Sequence, residues 1–217
     1  RGLLLAAAYA LLAIPVVRRR ATIAMGEAAL AALLTGVTVF GSLAVPIELE
    51  RAWIAVAWAL EVPALALLAG GLRVPALRTL AGGLAALAAL WLFRPVALGY
   101  PLGTHWFFDW TLYGYGVPAL AFALAAWCFH RQRAEHLTMG LEAGAALFVV
   151  AIATLKVRRY FHPEQIDAPH IALHEWATYV AVWLVLGGVL LERRWFQTVV
   201  LRTAGRILVA LGAVAAC

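Results

Sequence analysis

The chain has 217 residues, of which 65% are hydrophobic and 13% are charged, and its mean hydropathy is +0.90. Soluble domains carry about 25% charged residues, and a water-soluble fold of this length cannot bury so much apolar surface, so the composition excludes a soluble globular domain. The formal net charge of +6 comes mostly from arginines in short segments between apolar runs, as in cytoplasmic loops, and therefore predicts no nucleic-acid partner.

Eight apolar segments follow one another along the chain, and most reach the length of about 17–25 residues that crosses a bilayer as a helix. They are residues 2–17, 21–45, 52–70, 76–93, 111–129, 137–155, 173–191 and 198–216. No alternation of apolar and polar residues is sustained, which excludes membrane strands. The sequence thus predicts an all-α, multi-pass transmembrane bundle of about eight helices, forming a single domain over 1–217.

The distribution of Lys and Arg between alternate loops predicts the orientation, because cytoplasmic loops are richer in both. The loops after the first, third, fifth and seventh segments, counted with Arg78 at the start of the fourth segment, hold nine of these residues, and the other loops hold five. We therefore place the richer set in the cytoplasm. Residues 46–51, 94–110 and 156–174 then lie together on the non-cytoplasmic face.

Short motifs are few. The chain has no G-x-G-x-x-G after a strand, no P-loop and no G-x-S-x-G, so we predict no cofactor and assign no catalytic residue. Cys128 and Cys217 give neither a disulfide framework nor a metal-binding spacing. The segment LYGYGVPALAF (112–122) predicts a flexible turn with interfacial tyrosines at the start of a span.

Residues 162–176, HPEQIDAPHIALHEW, gather titratable side chains between apolar segments. His170 and His174 are four residues apart and share a helix face, as a pair of metal ligands would. A third ligand would come from His162, Asp167 or Glu175. The H-E-x-x-H signature is missing, so we predict no metal site. Acid–base chemistry, substrate recognition and simple solvation at a wet interface remain open interpretations.

We expect this segment to fold over the non-cytoplasmic end of the bundle, beside residues 94–110. The neighbouring Arg158 and Arg159 favour a ligand that carries phosphate or carboxylate, because guanidinium groups bind such anions bidentately. The candidate ligand-binding residues are His105, Asp109, Arg158, Arg159, His162, His170, His174 and Glu175.

Five charged residues lie inside the predicted spans at least four residues from either end, where a charge is costly and tends to pair or to line a polar cavity. They are Glu27, Glu61, Glu142, Arg202 and Arg206. By depth, Glu61 matches Arg206, while Glu27 and Glu142 match Arg202. These residues are interpreted either as packing ion pairs or as parts of a proton or ion path.

Four segments in order resemble a family of large bacterial predicted membrane proteins that is known only as a domain of unknown function. They are RAWIAVAWALEVPALALLAG (51–70), DWTLYGYGVPALAF (109–122), TLKVRRYFH (154–162) and HEWATYVAVWLVLGGVLL (174–191). The resemblance implies that the protein is located in the bacterial inner membrane. Members are much longer, so it also implies that this chain is a piece whose partners include the remaining helices of the parent chain. Lys156 stands where the resemblance leads us to expect an acidic residue.

The predicted function is an inner-membrane protein that handles an anionic or lipid-linked envelope component at its non-cytoplasmic face. Its expected partners are the lipid bilayer and an anionic lipid or lipid-linked substrate. The alternatives are a transporter or channel-like module that uses the intramembrane charges, and a structural membrane scaffold. The first is favoured because the external loops are denser in reactive side chains than the spans are.

Overall fold

The computed structural model describes residues 51–72, 75–92, 109–163, 172–192 and 198–216, together with Gly36. Within these ranges the regular elements are six α-helices and one π-helical turn, and no strand occurs. They are α1 (Arg51–Leu72), α2 (Pro75–Leu92), the π-helical turn (Leu112–Gly116), α3 (Val117–Arg131), α4 (Glu135–Phe161), α5 (Leu173–Glu192) and α6 (Val199–Ala215). The all-α class is confirmed. The predicted helices 2–17 and 21–45 lie outside the described residues, so the total of eight stays a prediction.

Four helical segments are long and apolar enough to cross a membrane. They are Trp53–Gly71, Leu112–Arg131, Glu135–Phe161 and Leu173–Glu192, and Ala76–Leu92 is a shorter apolar helix. At 1.5 Å per residue, the 27 residues of α4 extend for about 40 Å, more than the roughly 30 Å hydrocarbon core. One end of α4 must therefore reach into the head-group region or beyond it.

The helices pack as three antiparallel hairpins, α1 with α2, α3 with α4 and α5 with α6, and α1 also packs along α3. Alanines supply half of the buried residues in the core between the first two hairpins and allow close approach of the backbones. Phe122 and Phe148 are two of its aromatic side chains, with ring centroids 5.2 Å apart. A Cβ atom at Gly144 would lie 2.7 Å from the Phe122 ring, so this glycine makes room for the pair.

The ends of the helices meet at two opposite ends of the bundle. Trp53 at the start of α1 packs edge-on against Trp110, with ring centroids 6.1 Å apart. At the same end, the Trp176 indole at the start of α5 donates to the carbonyl oxygen of Ala215 in α6 (3.1 Å). We call this the outer end, because the predicted topology places it on the non-cytoplasmic face. The opposite end contains the turn between α3 and α4, and we call it the inner end.

Helix α4 is longer than the predicted span 137–155, because it continues to Phe161. Lys156, Arg158 and Arg159 are therefore helical and do not belong to a loop. A span predicted from hydropathy ends at the first cluster of charged residues, whereas the backbone hydrogen bonds of α4 continue past that cluster. Basic side chains in the last turn also interact favourably with the helix dipole.

The segment predicted as a flexible turn (112–122) is helical, because a tightly packed π-helical turn leads directly into α3. Tyr115 is buried, and its hydroxyl donates to the carbonyl oxygen of Leu92 in α2 (2.9 Å). A Cβ atom at Gly114 would lie 2.7 Å from the Trp110 ring, so a glycine is needed there. Of the two tyrosines, Tyr113 is the exposed one, as an interfacial tyrosine would be.

Candidate functional site

The outer end of α4 presents its basic residues on two faces. Lys156 and Arg159 are three residues apart, and Arg158 and His162 are four apart, so each pair shares a side of the helix. The first pair meets a carboxylate that precedes α3, and the second pair meets a carboxylate on α5. We call these four residues and the two carboxylates, Asp109 and Glu175, the outer network.

Asp109 receives the first pair. Its Oδ1 lies 2.7 Å from the Lys156 Nζ, and its Oδ2 accepts a hydrogen bond from Arg159. The Thr111 hydroxyl also donates to Oδ1 (2.6 Å), and so does the backbone N–H of Leu112 (3.1 Å). Asp109 therefore caps the helix that begins after it and at the same time binds the outer end of α4.

The electrostatic balance at Asp109 keeps it ionised. Burial by itself raises the pKa of this carboxyl. The hydrogen bonds from Lys156, Thr111 and the Leu112 backbone together lower the pKa by more than burial raises it, so the net pKa lies below its ordinary value of 3.8. The carboxylate is thus the charged form at neutral pH, as a partner for two cations requires.

Glu175 receives the second pair and is completely buried. Its Oε1 accepts hydrogen bonds from the Arg158 guanidinium (2.7 Å) and from the Tyr179 hydroxyl (2.9 Å). Its Oε2 lies 3.0 Å from the Nε2 atom of His162. Tyr179 is one turn further along α5, so helical spacing places its hydroxyl beside the carboxylate. Three side chains from two helices therefore hold this carboxylate.

Among the described residues, the outer network contains more positive than negative charge. Three basic side chains, on Lys156, Arg158 and Arg159, meet two carboxylates, and His162 adds another charge when it is protonated. The three basic side chains are only 15%, 12% and 6% exposed, respectively. The two carboxylates therefore offset part of the cost of keeping these charges away from water.

The structure brings together five of the eight candidate ligand-binding residues. These are Asp109, Arg158, Arg159, His162 and Glu175. His174 is exposed and packs against the Phe161 ring, with centroids 5.0 Å apart. His105 and His170 lie outside the described residues, so the proximity of His170 to His105 and to His174 stays a prediction. In the described ranges, no group of three His, Cys, Asp or Glu side chains is arranged to hold a metal ion.

Three members of the site were missed by sequence reasoning as ligand-binding residues. They are Lys156, Thr111 and Tyr179. The K-x-x-R spacing of Lys156 and Arg159 was a usable signal, because it repeats one helix face once α4 is known to continue through this segment. The four-residue spacing of Glu175 and Tyr179 was another. Thr111 had no signal beyond its closeness to Asp109.

The intramembrane charges are dispersed in the described part of the chain. Glu61 is half-buried on α1, whereas Arg202 and Arg206 are exposed on α6. Helix α1 packs mainly against α2 and α3, and α6 against α5 and α4. Within the described ranges no ion pair joins Glu61 to Arg206 or Glu142 to Arg202. Matching by depth did not account for these lateral positions. Glu27 lies outside the described residues.

The helical fold, the four candidate spans and the apolar faces define an integral membrane protein. The family model described as Predicted membrane protein (DUF2339) matches residues 1–217, and the chain belongs to this family, whose function is unknown. No curated protein and no solved structure matches the chain.

Proposed function

We propose that the protein is a bacterial inner-membrane protein that handles an anionic, lipid-linked envelope component at its outer end. The outer end of α4 is the ligand-facing element of this proposal. The observation that carries it is the convergence of three basic side chains and a histidine on two carboxylates at the end of a membrane span.

The two carboxylates support this role because they hold the basic side chains in place before any ligand arrives. Asp109 positions Lys156 and Arg159, and Glu175 positions Arg158. Preorganised donors lose less conformational entropy when a ligand binds, which favours affinity. Planar guanidinium groups also match the geometry of phosphate and carboxylate oxygens.

The aromatic residues of the outer end support a membrane-borne ligand. Trp53, Trp110 and Trp176 all lie at this end, and tryptophans concentrate at the head-group level of bilayers. Trp53 is 45% exposed and Trp176 is 39% exposed. An anion that is attached to a lipid would enter at this level, directly beside the basic residues.

The test is binding of a polyprenyl monophosphate to the purified full chain in phosphatidylcholine nanodiscs. We expect Lys156→Gln and Arg158→Gln to weaken binding at least tenfold, because each removes a positive charge that would face the phosphate of the ligand. Arg206→Gln is the matched control, since it removes an exposed arginine on α6. Equal affinity of the wild type and of both outer variants would refute the proposal.

A second experiment tests whether the negative charge that balances the network comes from the protein itself or from a ligand. The sequence places Glu164 and Asp167 shortly after the outer end of α4. If they balance the network within the protein, Glu164→Gln and Asp167→Asn will strengthen polyprenyl monophosphate binding. If the ligand supplies the balancing charge in a site of its own, both variants will bind as the wild type does.

One observation favours the transporter alternative. The Oε2 atom of Glu142 is buried within the α4 span and, in the described part of the chain, has no hydrogen-bond partner. Such an atom is costly in hydrocarbon unless a proton, water or cation reaches it during function. Proton and sodium uptake by proteoliposomes tests this alternative, with Glu142→Gln as the variant and the exposed Glu135→Gln as its control. Uptake no faster than that of empty liposomes would exclude it.

A further inference from the structure

An apolar strip on α3 leads to the inner end of the bundle. Leu120, Leu124 and Trp127 are 68%, 57% and 50% exposed, and Arg131 follows on the same side. Their spacing of four, three and four residues places all of them on one face of the helix. The Arg131 guanidinium lies over the Trp127 ring, 3.7 Å from its centroid. The lipid-facing strip therefore ends in a fixed cation.

Beyond this strip is a cavity of about 480 Å³ at the turn between α3 and α4. Its lining comprises His130, Arg131, Arg133, Ala134, Glu135 and Thr138. A volume of this size is within the range of about 300–1,000 Å³ that small-molecule sites occupy. Arg131 and Arg133 outnumber Glu135 by one charge when the histidine is neutral. That balance suits a ligand with a single negative charge.

The backbone of the turn gives separate support for a role of Arg133. Arg133 has φ 56°, a left-handed conformation in which glycine is strongly preferred. The Arg133 N–H donates to the carbonyl oxygen of His130 (3.1 Å), and the Ala134 N–H donates to that of Phe129 (3.1 Å). These two bonds form the helix-ending motif that glycine usually completes. A side chain at this position is not needed for the turn, which is consistent with a role for the arginine in binding.

We propose that the cavity binds the head group of an anionic phospholipid of the inner-end leaflet. The phosphodiester lies between Arg131 and Arg133, and an acyl chain lies along Leu120, Leu124 and Trp127. The apolar strip selects a lipid over a free anion, because it continues from the cavity along the membrane-facing side of α3. This site is at the opposite end of the bundle from the outer network and does not depend on the proposed function.

The experiment is native mass spectrometry of the full chain released from nanodiscs that contain phosphatidylglycerol, phosphatidylethanolamine and phosphatidylcholine. The wild type should retain phosphatidylglycerol in preference to the two zwitterionic lipids. Arg133→Gly should reduce that retention at least tenfold while its melting temperature stays equal or rises, because glycine suits the backbone of the turn. Arg131→Gln should reduce retention similarly.

The controls distinguish this site from general attraction of anionic lipid. Arg206→Gln, on α6, should retain phosphatidylglycerol as the wild type does. Retention by Arg133→Gly at the wild-type level would overturn the proposal, and so would equal retention of all three lipids by the wild type. Inorganic phosphate at millimolar concentration should neither displace phosphatidylglycerol nor raise the melting temperature of lipid-free protein. If it does both, the site binds a free anion and the lipid proposal is wrong.

Discussion

Glu175→Gln tests whether the outer network holds α4 and α5 together. The substitution keeps the size of the side chain and one oxygen acceptor, but it removes the negative charge that faces Arg158 and His162. Glu175 is completely buried and the Arg158 side chain is only 12% exposed, so water cannot replace the lost charge. Removal of one partner of a buried pair costs about 3–5 kcal/mol. We expect about 3 kcal/mol, at the lower limit, because the amide still accepts from Tyr179.

The assay is thermal unfolding in detergent, followed by the fluorescence of the nine tryptophans. In a domain of about 150–250 residues, 1 kcal/mol shifts the melting temperature by about 2–4 °C, so a loss of about 3 kcal/mol predicts a decrease of about 6–12 °C. A double-mutant cycle with Arg158→Gln should give a coupling energy of about 1–3 kcal/mol, since the two side chains are in contact.

Glu192→Gln is the matched control, because Glu192 is an exposed glutamate on the same helix. Its effect should stay within about 0.5 kcal/mol. The reasoning is refuted if Glu175→Gln unfolds at the same temperature as this control. It is also refuted if the effects of Glu175→Gln and Arg158→Gln simply add.

Three further predictions follow from packing, charge and topology. Gly187→Val should destabilise the α5–α6 hairpin by about 1–3 kcal/mol, because its Cβ would lie 3.0 Å from the Gly205 carbonyl oxygen, whereas Gly188→Val, with open space around it, should unfold like the wild type. Asp109→Asn should lower the melting temperature at pH 7. The difference from the wild type should vanish as the pH falls from 3.8 through the depressed pKa, because the native carboxylate is then protonated too. A difference that persists below this pKa would contradict the ion-pair explanation. In a cysteine-free background, cysteines at Arg133 and Pro163, at opposite ends of α4, should react with impermeant reagents from opposite sides of the membrane, and labelling from one side would disprove that α4 spans it.

Within the described residues, the sequence alone determined where the helices are, except for the outer end of α4. The predicted spans 76–93 and 173–191 agree within a residue or two with α2 (Pro75–Leu92) and α5 (Leu173–Glu192), because an apolar run in a membrane must form a helix to satisfy its backbone. The predicted span 198–216 also agrees with α6 (Val199–Ala215). Local composition suffices for such features.

Only the tertiary structure decided which charges meet. Asp109 and Arg159 are 50 residues apart, and no local pattern connects them. His174 and Glu175 are neighbours in sequence and looked equally reactive, yet one is exposed and the other is completely buried. Consecutive residues of a helix point about 100° apart, and the packing of α5 against α4 determines which of them faces the bundle. Depth along a span is readable from sequence, but the lateral neighbour of a charge depends on how the helices pack.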